Sequence, residues 1–124
     1  MDNGKYDFDR SGGVPLMFGR YSARYNNITM AQAREALERD PSIILIDVRR
    51  RDEYATGHIM GSINIPVDEA DAIVDIIDDK DAKIFVYSLS GARSRRACAE
   101  FSRKGYTDVT NIGGIRSWTG FTVR

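Results

Sequence analysis

The chain has 124 residues and carries 18 Lys and Arg against 18 Asp and Glu, so its formal net charge is zero. This length suits one domain with a single core. A balanced charge gives no overall field that would draw the chain to nucleic acid or to a membrane surface. The longest aliphatic run, residues 43–46, is too short for a membrane span, and residues 1–10 contain no apolar segment of a secretory signal. We therefore predict a cytoplasmic domain with no nucleic-acid or membrane partner.

Cysteine and histidine are scarce, with one residue of each type, Cys98 and His58. A disulfide within the chain is therefore excluded, which is compatible with a reducing compartment. The sequence also lacks cysteine and histidine pairs at metal-ligand spacing. We predict no metal and no organic cofactor.

Residues 1–26 show neither helix nor strand periodicity and are rich in Gly, Asp, Arg and Ser. We interpret residues 1–26 as an extended arm and residues 27–124 as the folded domain. The arm carries Phe18, Tyr21 and Tyr25, which are candidates for docking on the domain or on a partner.

The folded part is predicted to begin with a helix and a buried strand. Thr29 followed by Gln32 predicts a capping box at the helix start. The apolar residues that follow share one helical face: Met30, Ala33, Ala36 and Leu37. Residues 42–46 predict a strand whose continuous apolar run, residues 43–46, is typical of a strand covered on both faces of a parallel sheet.

Shorter elements are predicted in the middle of the chain. Residues 51–56 predict one or two helical turns that end at Gly57. Residues 62–65 predict a short strand that Pro66 stops. Apolar residues then repeat at helical spacing over residues 67–78, which predicts a further helix.

The last third of the chain continues the alternation. Residues 84–87 predict a strand, residues 93–104 a helix, and residues 108–111 a last strand. A turn at residues 113–114 and a short closing helix at residues 115–118 complete the pattern. Strands that alternate with helices at these lengths predict an α/β fold with a mainly parallel central sheet flanked by helices.

A six-residue loop, residues 88–93, joins the strand at 84–87 to the next helix. Free amide groups and the helix dipole converge at a helix N-terminus, which favours an anion there. Gly91 suits a loop whose amides turn inward, because glycine tolerates positive φ. Arg93, Arg95 and Arg96 oppose the dipole of the predicted helix. We interpret Arg93 as an anion ligand, and the other two arginines equally well as solvated surface.

Together these residues resemble the rhodanese family of single-domain sulfurtransferases, from about residue 28 to residue 118. The segments that stand in family order are Ile46-Asp47-Val48-Arg49, Glu53-Tyr54, Gly57-His58-Ile59, Gly61-Ser62-Ile63-Asn64-Ile65-Pro66, Gly91-Ala92-Arg93-Ser94, Gly105-Tyr106 and Gly113-Gly114-Ile115 followed by Trp118. The resemblance implies a rhodanese-like three-layer sandwich. It also implies sulfur transfer from a small anionic donor such as thiosulfate, or from a protein persulfide, to a thiol or another thiophilic acceptor, without a cofactor.

The family's active loop resembles Cys-x-x-Gly-x-Arg, and its cysteine carries a persulfide. A six-residue loop is associated with sulfur transfer, whereas the related dual-specificity phosphatases use a loop one residue longer. By resemblance, Ser88 and Arg93 stand at the catalytic positions. The positions that would surround the substrate are Leu89, Ser90, Gly91, Ala92, Arg93 and Ser94.

Ser88 stands where the family has its cysteine, and this departure is decisive for the chemistry. A helix N-terminus with nearby arginines ionises a cysteine thiol, whereas a serine hydroxyl needs an adjacent base. Oxygen also has no stable counterpart of the persulfide. We therefore predict that the chain as written does not transfer sulfur, whether Ser88 is natural or engineered.

Two other functions stay open at this point. The domain is alternatively a catalytically silent module whose loop binds an anion or a protein partner for regulation. In a third interpretation, Ser88 is the nucleophile of a hydrolase and His58 is its base, which requires the two side chains to lie within hydrogen-bond reach.

Several other polar or reactive residues have simpler structural interpretations. Cys98 lies on the apolar face of the predicted helix and is interpreted as a small core residue. Asp47, Arg49 and Glu53 are interpreted as structural, with Arg49 paired to Glu53 across the first helical turn. Trp118 is interpreted as a plug of the core.

Overall fold

The computed structural model describes residues 23–124, so Phe18, Tyr21 and most of the predicted arm lie outside the described residues. In chain order, the helices and strands are β1 (Asn26–Asn27), α1 (Met30–Arg39), β2 (Ile44–Asp47), α2 (Arg51–Thr56), β3 (His58–Ile59), β4 (Ile63–Asn64), a 3-10 helix (Val67–Ala72), α3 (Ile73–Ile76), β5 (Lys83–Ser88), α4 (Ala92–Arg103), β6 (Asp108–Gly114), a second 3-10 helix (Ile115–Ser117) and β7 (Thr122–Val123).

Within residues 23–124, five strands form one sheet in the order β1-β6-β5-β2-β4, and each of these pairings is parallel. Strands β3 and β7 form a separate antiparallel pair. Buried side chains collect in two clusters, one that includes Ala97 and Phe101 of α4 and one that includes Met30 and Ala33 of α1. The predicted α/β fold, with a mainly parallel sheet between helices, is confirmed.

The start of α1 has the capping box that the sequence predicts. The Thr29 Oγ1 atom accepts a hydrogen bond from the Gln32 amide at 3.1 Å, and the Gln32 side chain accepts one from the Thr29 amide at 2.9 Å. These two bonds satisfy amides that the helix itself leaves without partners. The next strand, β2, begins at Ile44, two residues later than predicted.

The helix predicted over residues 67–78 is wrong as one continuous element. It is a 3-10 helix that leads into the single turn of α3, with non-helical dihedral angles at Glu69. The Val67 amide donates to the Val48 carbonyl at 3.0 Å, which ties the start of the segment to the loop after β2. At its other end the Tyr106 hydroxyl donates to the Ile77 carbonyl at 2.6 Å. Tertiary contacts at both ends therefore override the helical period.

The turn predicted at residues 113–114 is also wrong, because β6 continues through both glycines. Gly113 has φ of +94°, and the register of β6 against β5 shifts at this point, so that Tyr87 faces Gly113 and Ser88 faces Gly114. Such a bulge needs a residue that tolerates positive φ. It brings the end of β6 alongside the end of β5.

The end of the predicted arm contacts the domain. Asn26 belongs to β1 and pairs with Thr110 of β6, and Tyr25 packs against the core cluster that contains α4. The boundary at residue 27 stays a prediction. Within the described part of the chain, none of the helices has the length and apolar character needed to cross a membrane.

Candidate functional site

The loop between β5 and α4 lies at the carboxyl end of the central strand. Ser88 is the last residue of β5, and α4 begins at Ala92, one residue earlier than predicted. Gly91 caps α4 in the left-handed region, with φ of +107°, as the sequence analysis expects. The strand, the glycine and the helix start together direct amide groups toward the side chain of Ser88.

The Ser88 hydroxyl lies where those amides converge. Its Oγ atom accepts hydrogen bonds from the Gly91 amide at 3.1 Å and the Ser94 amide at 3.2 Å. The same hydroxyl lies 3.2 Å from the Ser94 Oγ atom, to which it donates. Ser88 is only 1% exposed. Both lone pairs and the proton of this hydroxyl are therefore already used.

The Ser94 side chain links the loop to β6. Its hydroxyl donates to the Asn111 Oδ1 atom at 2.7 Å, and both residues are buried. Sequence reasoning included Ser94 but missed Asn111, which it treated only as the end of a strand. The signal in the sequence is an amide side chain at the end of a strand, just before a glycine pair that brings β6 beside the loop.

The remaining residues predicted to surround a substrate are more exposed. Ser90 and Ala92 are exposed, and Leu89 is half-buried. The loop backbone packs against Gly114, since a Cβ atom added there would lie 2.6 Å from the Ser90 Cα atom. Leu89, Ser90, Ala92 and Arg93 therefore reach the surface at the end of β5, whereas Ser88, Gly91 and Ser94 lie buried beneath it.

The Arg93 guanidinium forms a salt bridge with a carboxylate. Its guanidinium donates to both oxygens of Glu53, at 2.7 and 3.1 Å. The predicted pairing of Arg49 with Glu53 is wrong, because Glu53 faces α4. The Arg93 guanidinium, with help from the Arg50 amide at 2.9 Å, lowers the pKa of Glu53 to about 2. The positive charge of Arg93, which could attract an anion to the loop, is therefore partly neutralised by Glu53 of α2.

This pairing predicts a pH dependence of stability. The folded-state pKa of Glu53 is below its ordinary value of 4.5, so its contribution is complete above pH 4.5 and is lost as the pH falls toward 2. We expect a Glu53→Gln variant to lose about 3 kcal/mol of unfolding free energy at neutral pH and to show less change below pH 4.5. Denaturant unfolding across this pH range measures both effects. Parallel curves for the variant and the wild type would contradict the prediction.

Arg49 forms a different and deeper ion pair, with Asp47 at the end of β2. Its guanidinium donates to the Asp47 carboxylate at 2.8 Å and to the Gly57 carbonyl at 2.6 Å. Asp47 is fully buried and Arg49 is 5% exposed. The Asn64 side chain donates to the Asp47 and Arg49 carbonyls, each at 3.0 Å. This pair fixes the segment around α2, from which Glu53 reaches Arg93.

The structure gives no support to a Ser88–His58 hydrolase. The His58 Nδ1 atom hydrogen-bonds to the Tyr54 carbonyl at 2.8 Å, and its ring stacks on the Tyr54 ring with centroids 3.6 Å apart. Among residues 23–124, the side chain that hydrogen-bonds to the Ser88 hydroxyl is that of Ser94, which is not a base. In the part of the chain that the structure describes, a proton acceptor for the nucleophile is therefore not in place.

Cys98 and Trp118 differ in how deeply their side chains are buried in the core. Cys98 is fully buried in the cluster under α4, and this burial raises the pKa of its thiol, which disfavours the reactive thiolate. The prediction of a core residue is confirmed. Trp118 packs against the other cluster but is only half-buried, and its Nε1 group donates to the Phe121 carbonyl at 3.0 Å. It lies at the edge of the core.

Comparison with known proteins identifies the fold and its family. Residues 29–120 match the family model described as a rhodanese-like domain. Thiosulfate sulfurtransferase PspE of Escherichia coli is 39% identical over 72 residues, covering 57% of this chain and 69% of PspE. A sulfurtransferase of Allochromatium vinosum is 33% identical over 94 residues, covering 75% of this chain and 87% of that protein. The chain spans 51% of another relative, YrkF of Bacillus subtilis, at 31% identity over 77% of this chain.

Solved structures agree with the sequence relatives. A structure described as rhodanese with anions from E. coli is 35% identical with a TM-score of 0.63, covering 66% of this chain and 98% of the other. A rhodanese-related protein from Thermoplasma volcanium is 33% identical with a TM-score of 0.67, covering 80% and 98%. The predicted resemblance is confirmed, and the chain belongs to the rhodanese-like family that includes these sulfurtransferases.

Proposed function

We propose that this chain is a rhodanese-like sulfurtransferase domain that is inactive as written, because Ser88 takes the position of the persulfide-forming cysteine. The observation that carries the proposal is the place of the Ser88 Oγ atom, which accepts the Gly91 and Ser94 amides at the start of α4. Amides at a helix N-terminus stabilise a negative charge, and a thiolate at this position would receive the same bonds.

In a form with cysteine at position 88, the reaction follows from this geometry. The thiolate attacks the outer sulfur of thiosulfate, a new sulfur–sulfur bond forms, and the bond to the sulfonate sulfur breaks with its electron pair leaving on sulfite. The name of the E. coli relative, thiosulfate sulfurtransferase PspE, supports thiosulfate as the donor. A thiol or cyanide then attacks the outer sulfur and releases the thiolate. The residues that we propose to surround the donor are Leu89, Ser90, Gly91, Ala92, Arg93 and Ser94.

Serine fails in this reaction for two physical reasons. Its hydroxyl is far too weakly acidic to ionise through two amides and a helix dipole, and no base is hydrogen-bonded to it among residues 23–124. Its lone pairs are also directed at the Gly91 and Ser94 amides, so neither is free to attack a donor. We therefore expect negligible thiosulfate:cyanide transfer from the wild-type chain.

A Ser88→Cys variant tests the proposal. After incubation with thiosulfate, we expect the intact protein to gain the mass of one sulfur atom, and we expect cyanide to remove it. The wild-type chain is the first control, because its only cysteine is the buried Cys98. A Ser90→Cys variant is the matched control, since it places a thiol on the exposed part of the same loop. Persulfide on the Ser88→Cys variant alone supports the proposal.

A second candidate function is a non-catalytic module that binds an anion or a protein partner. The observation that favours it is the intact loop, in which Gly91 keeps φ of +107° and Arg93 is positioned although the cysteine is absent. A folded Ser88→Cys variant that forms no persulfide would favour this module over a silenced enzyme.

The location and extent of the domain are part of the same proposal. We propose a cytoplasmic protein with an arm at residues 1–26 and a domain at residues 27–124. The single cysteine and the balanced charge support the location. The start of the family match at residue 29 supports the boundary.

A further inference from the structure

The Ser94 hydroxyl is surrounded by oxygen atoms that accept hydrogen bonds. The Asn111 Oδ1 atom lies 2.7 Å from it, the Gly91 carbonyl 3.0 Å and the Gly113 carbonyl 3.5 Å. Ser94 is fully buried, so its hydroxyl is out of reach of bulk water. The Ser94 amide is used in the bond to Ser88. Within residues 23–124, the hydroxyl that reaches the Ser94 Oγ atom is that of Ser88, at 3.2 Å.

The orientation of the Asn111 amide settles which way the protons point. The Gly113 amide lies 3.1 Å from the atom of Asn111 that faces Ser94, and a backbone N–H group only donates. That atom is therefore the side-chain oxygen. On the other side, the Asn111 Nδ2 group donates to the Asn27 Oδ1 atom at 3.0 Å. The Ser94 hydroxyl thus donates a hydrogen bond to Asn111, and the Ser94 oxygen accepts a hydrogen bond from the Ser88 hydroxyl.

We propose that Asn111 is a positioning residue for the loop. By accepting the hydrogen bond of the Ser94 hydroxyl, Asn111 directs the Ser94 proton away from position 88 and so favours a neutral, hydrogen-donating group there. The hydroxyl of Ser88 meets this requirement. A thiolate does not, because it has no proton to give to Ser94. For Ser94 to stabilise a thiolate, its hydroxyl would have to turn away from Asn111 and leave a buried oxygen with one hydrogen bond fewer.

The inference deepens the proposed function and rests on it for the role of position 88. It adds that a cysteine introduced at position 88 is less ionised because of Asn111. The Asn111 side chain competes for the Ser94 hydrogen bond that would stabilise the cysteine anion. The two amides of the loop still act on the thiolate. Asn111 therefore sets how much of the thiol is ionised and does not decide whether persulfide chemistry is allowed.

The charged groups around the loop stay the same when Asn111 is replaced. Helix α4 contributes Arg93, which is paired with Glu53 of α2, and Arg95, whose guanidinium lies 3.7 Å from where a Cβ atom of residue 91 would stand. Strand β2 contributes Asp47, which is paired with Arg49. On β6, the residues beside the loop are Asn111 and two glycines, which are neutral. A change in thiol ionisation when Asn111 is replaced is therefore due to loss of the hydrogen bond between Ser94 and Asn111.

The test compares the thiol pKa of Ser88→Cys with that of Ser88→Cys/Asn111→Leu, from the pH dependence of alkylation by iodoacetamide. Leucine keeps the branched shape of asparagine and removes its acceptor. We expect the pKa to fall by about one unit in the second variant, which is about tenfold more thiolate at neutral pH. The wild-type chain, with Cys98 alone, gives the background rate. An Asn111→Ala variant serves as the replacement if the leucine variant does not fold.

Two controls separate positioning from a general structural effect. In a Ser88→Cys/Ser94→Ala background, the Asn111 substitution should leave the pKa unchanged, since the hydroxyl that it releases is gone. An Asn27→Ala substitution should also leave the pKa unchanged, because Asn27 touches the other side of the Asn111 amide. No fall in pKa, or an equal fall without the Ser94 hydroxyl, would overturn the inference.

Failure of the inference is distinguishable from failure of the proposed function. Persulfide formation is followed by mass at a pH above about 9, which exceeds the ordinary cysteine pKa of about 8.5. A Ser88→Cys variant that gains sulfur there but shows no response to Asn111 contradicts only the inference. A variant whose thiol responds to Asn111 but gains no sulfur contradicts only the proposed function.

Discussion

A Gly114→Ala substitution in the Ser88→Cys background is expected to reduce persulfide formation by about a hundredfold, because it displaces the loop that holds position 88. A Cβ atom at residue 114 would overlap the Leu89 carbonyl oxygen and lie 2.6 Å from the Ser90 Cα atom. Both are backbone atoms, so no side-chain rotation relieves the clash. The loop has to move away from β6, which disturbs the amides of Gly91 and Ser94. The measurement is the rate of sulfur gain with thiosulfate.

The matched control is Gly61→Ala, which also replaces a glycine outside the loop. Gly61 has φ of +87° and no atoms within 4 Å of an added Cβ atom, so alanine adds backbone strain of about 1 kcal/mol without a clash. We expect this variant to be slightly less stable and to form persulfide at the rate of Ser88→Cys. If Gly114→Ala forms persulfide at the same rate, the close packing of the loop on β6 does not matter for the site.

The loop and its flanking elements could be predicted because their signals are local. An apolar run, a glycine and a helical period follow one another within residues 84–104, and β5 and α4 lie within two residues of the predicted bounds. The expectation that Gly91 has positive φ also depends only on its neighbours in the chain. Parallel sheets then place such a loop at a strand's carboxyl end, where ligands bind.

The ion pairs could not be predicted, because they depend on tertiary placement. Arg49 is four positions before Glu53, so a local pairing across one helical turn is a reasonable expectation. In the fold, Arg49 turns into the core toward Asp47, two residues away. Glu53 instead meets Arg93, forty positions along the chain. Only the tertiary placement of Glu53 near Arg93 decides between these partners.

Asn111 illustrates the same limit within the candidate site. The sequence shows an asparagine at the end of a predicted strand, and a turn is the simplest prediction for the glycines that follow. The strand instead continues through both glycines, and Asn111, which pairs with Val86 just before the register shift, reaches the Ser94 hydroxyl of α4. This contact joins a strand residue to a helix residue 17 positions earlier in the chain, so the periodicity of either element does not show it.

An Asp47→Asn substitution is expected to lower the free energy of unfolding by about 3–5 kcal/mol, because it leaves a buried guanidinium without its carboxylate. Arg49 is 5% exposed and donates to both oxygens of Asp47, at 3.0 and 3.1 Å from its Nε atom. Asparagine keeps the shape but not the charge. Such a loss is a large fraction of the about 5–15 kcal/mol that stabilises a typical domain. Denaturant unfolding at neutral pH measures it.

The control is an exposed ion pair that involves the first residue of α2. Arg51 and Glu69 hydrogen-bond through both carboxylate oxygens, but their side chains are 69% and 46% exposed. Because water solvates either charge when the other is removed, Glu69→Gln should lower the free energy of unfolding far less than Asp47→Asn does. Equal losses for the two variants would mean that burial does not govern the Asp47–Arg49 pair. The contrast matters for the loop, since Arg49 holds the Gly57 carbonyl at the end of α2, and α2 presents Glu53 to Arg93.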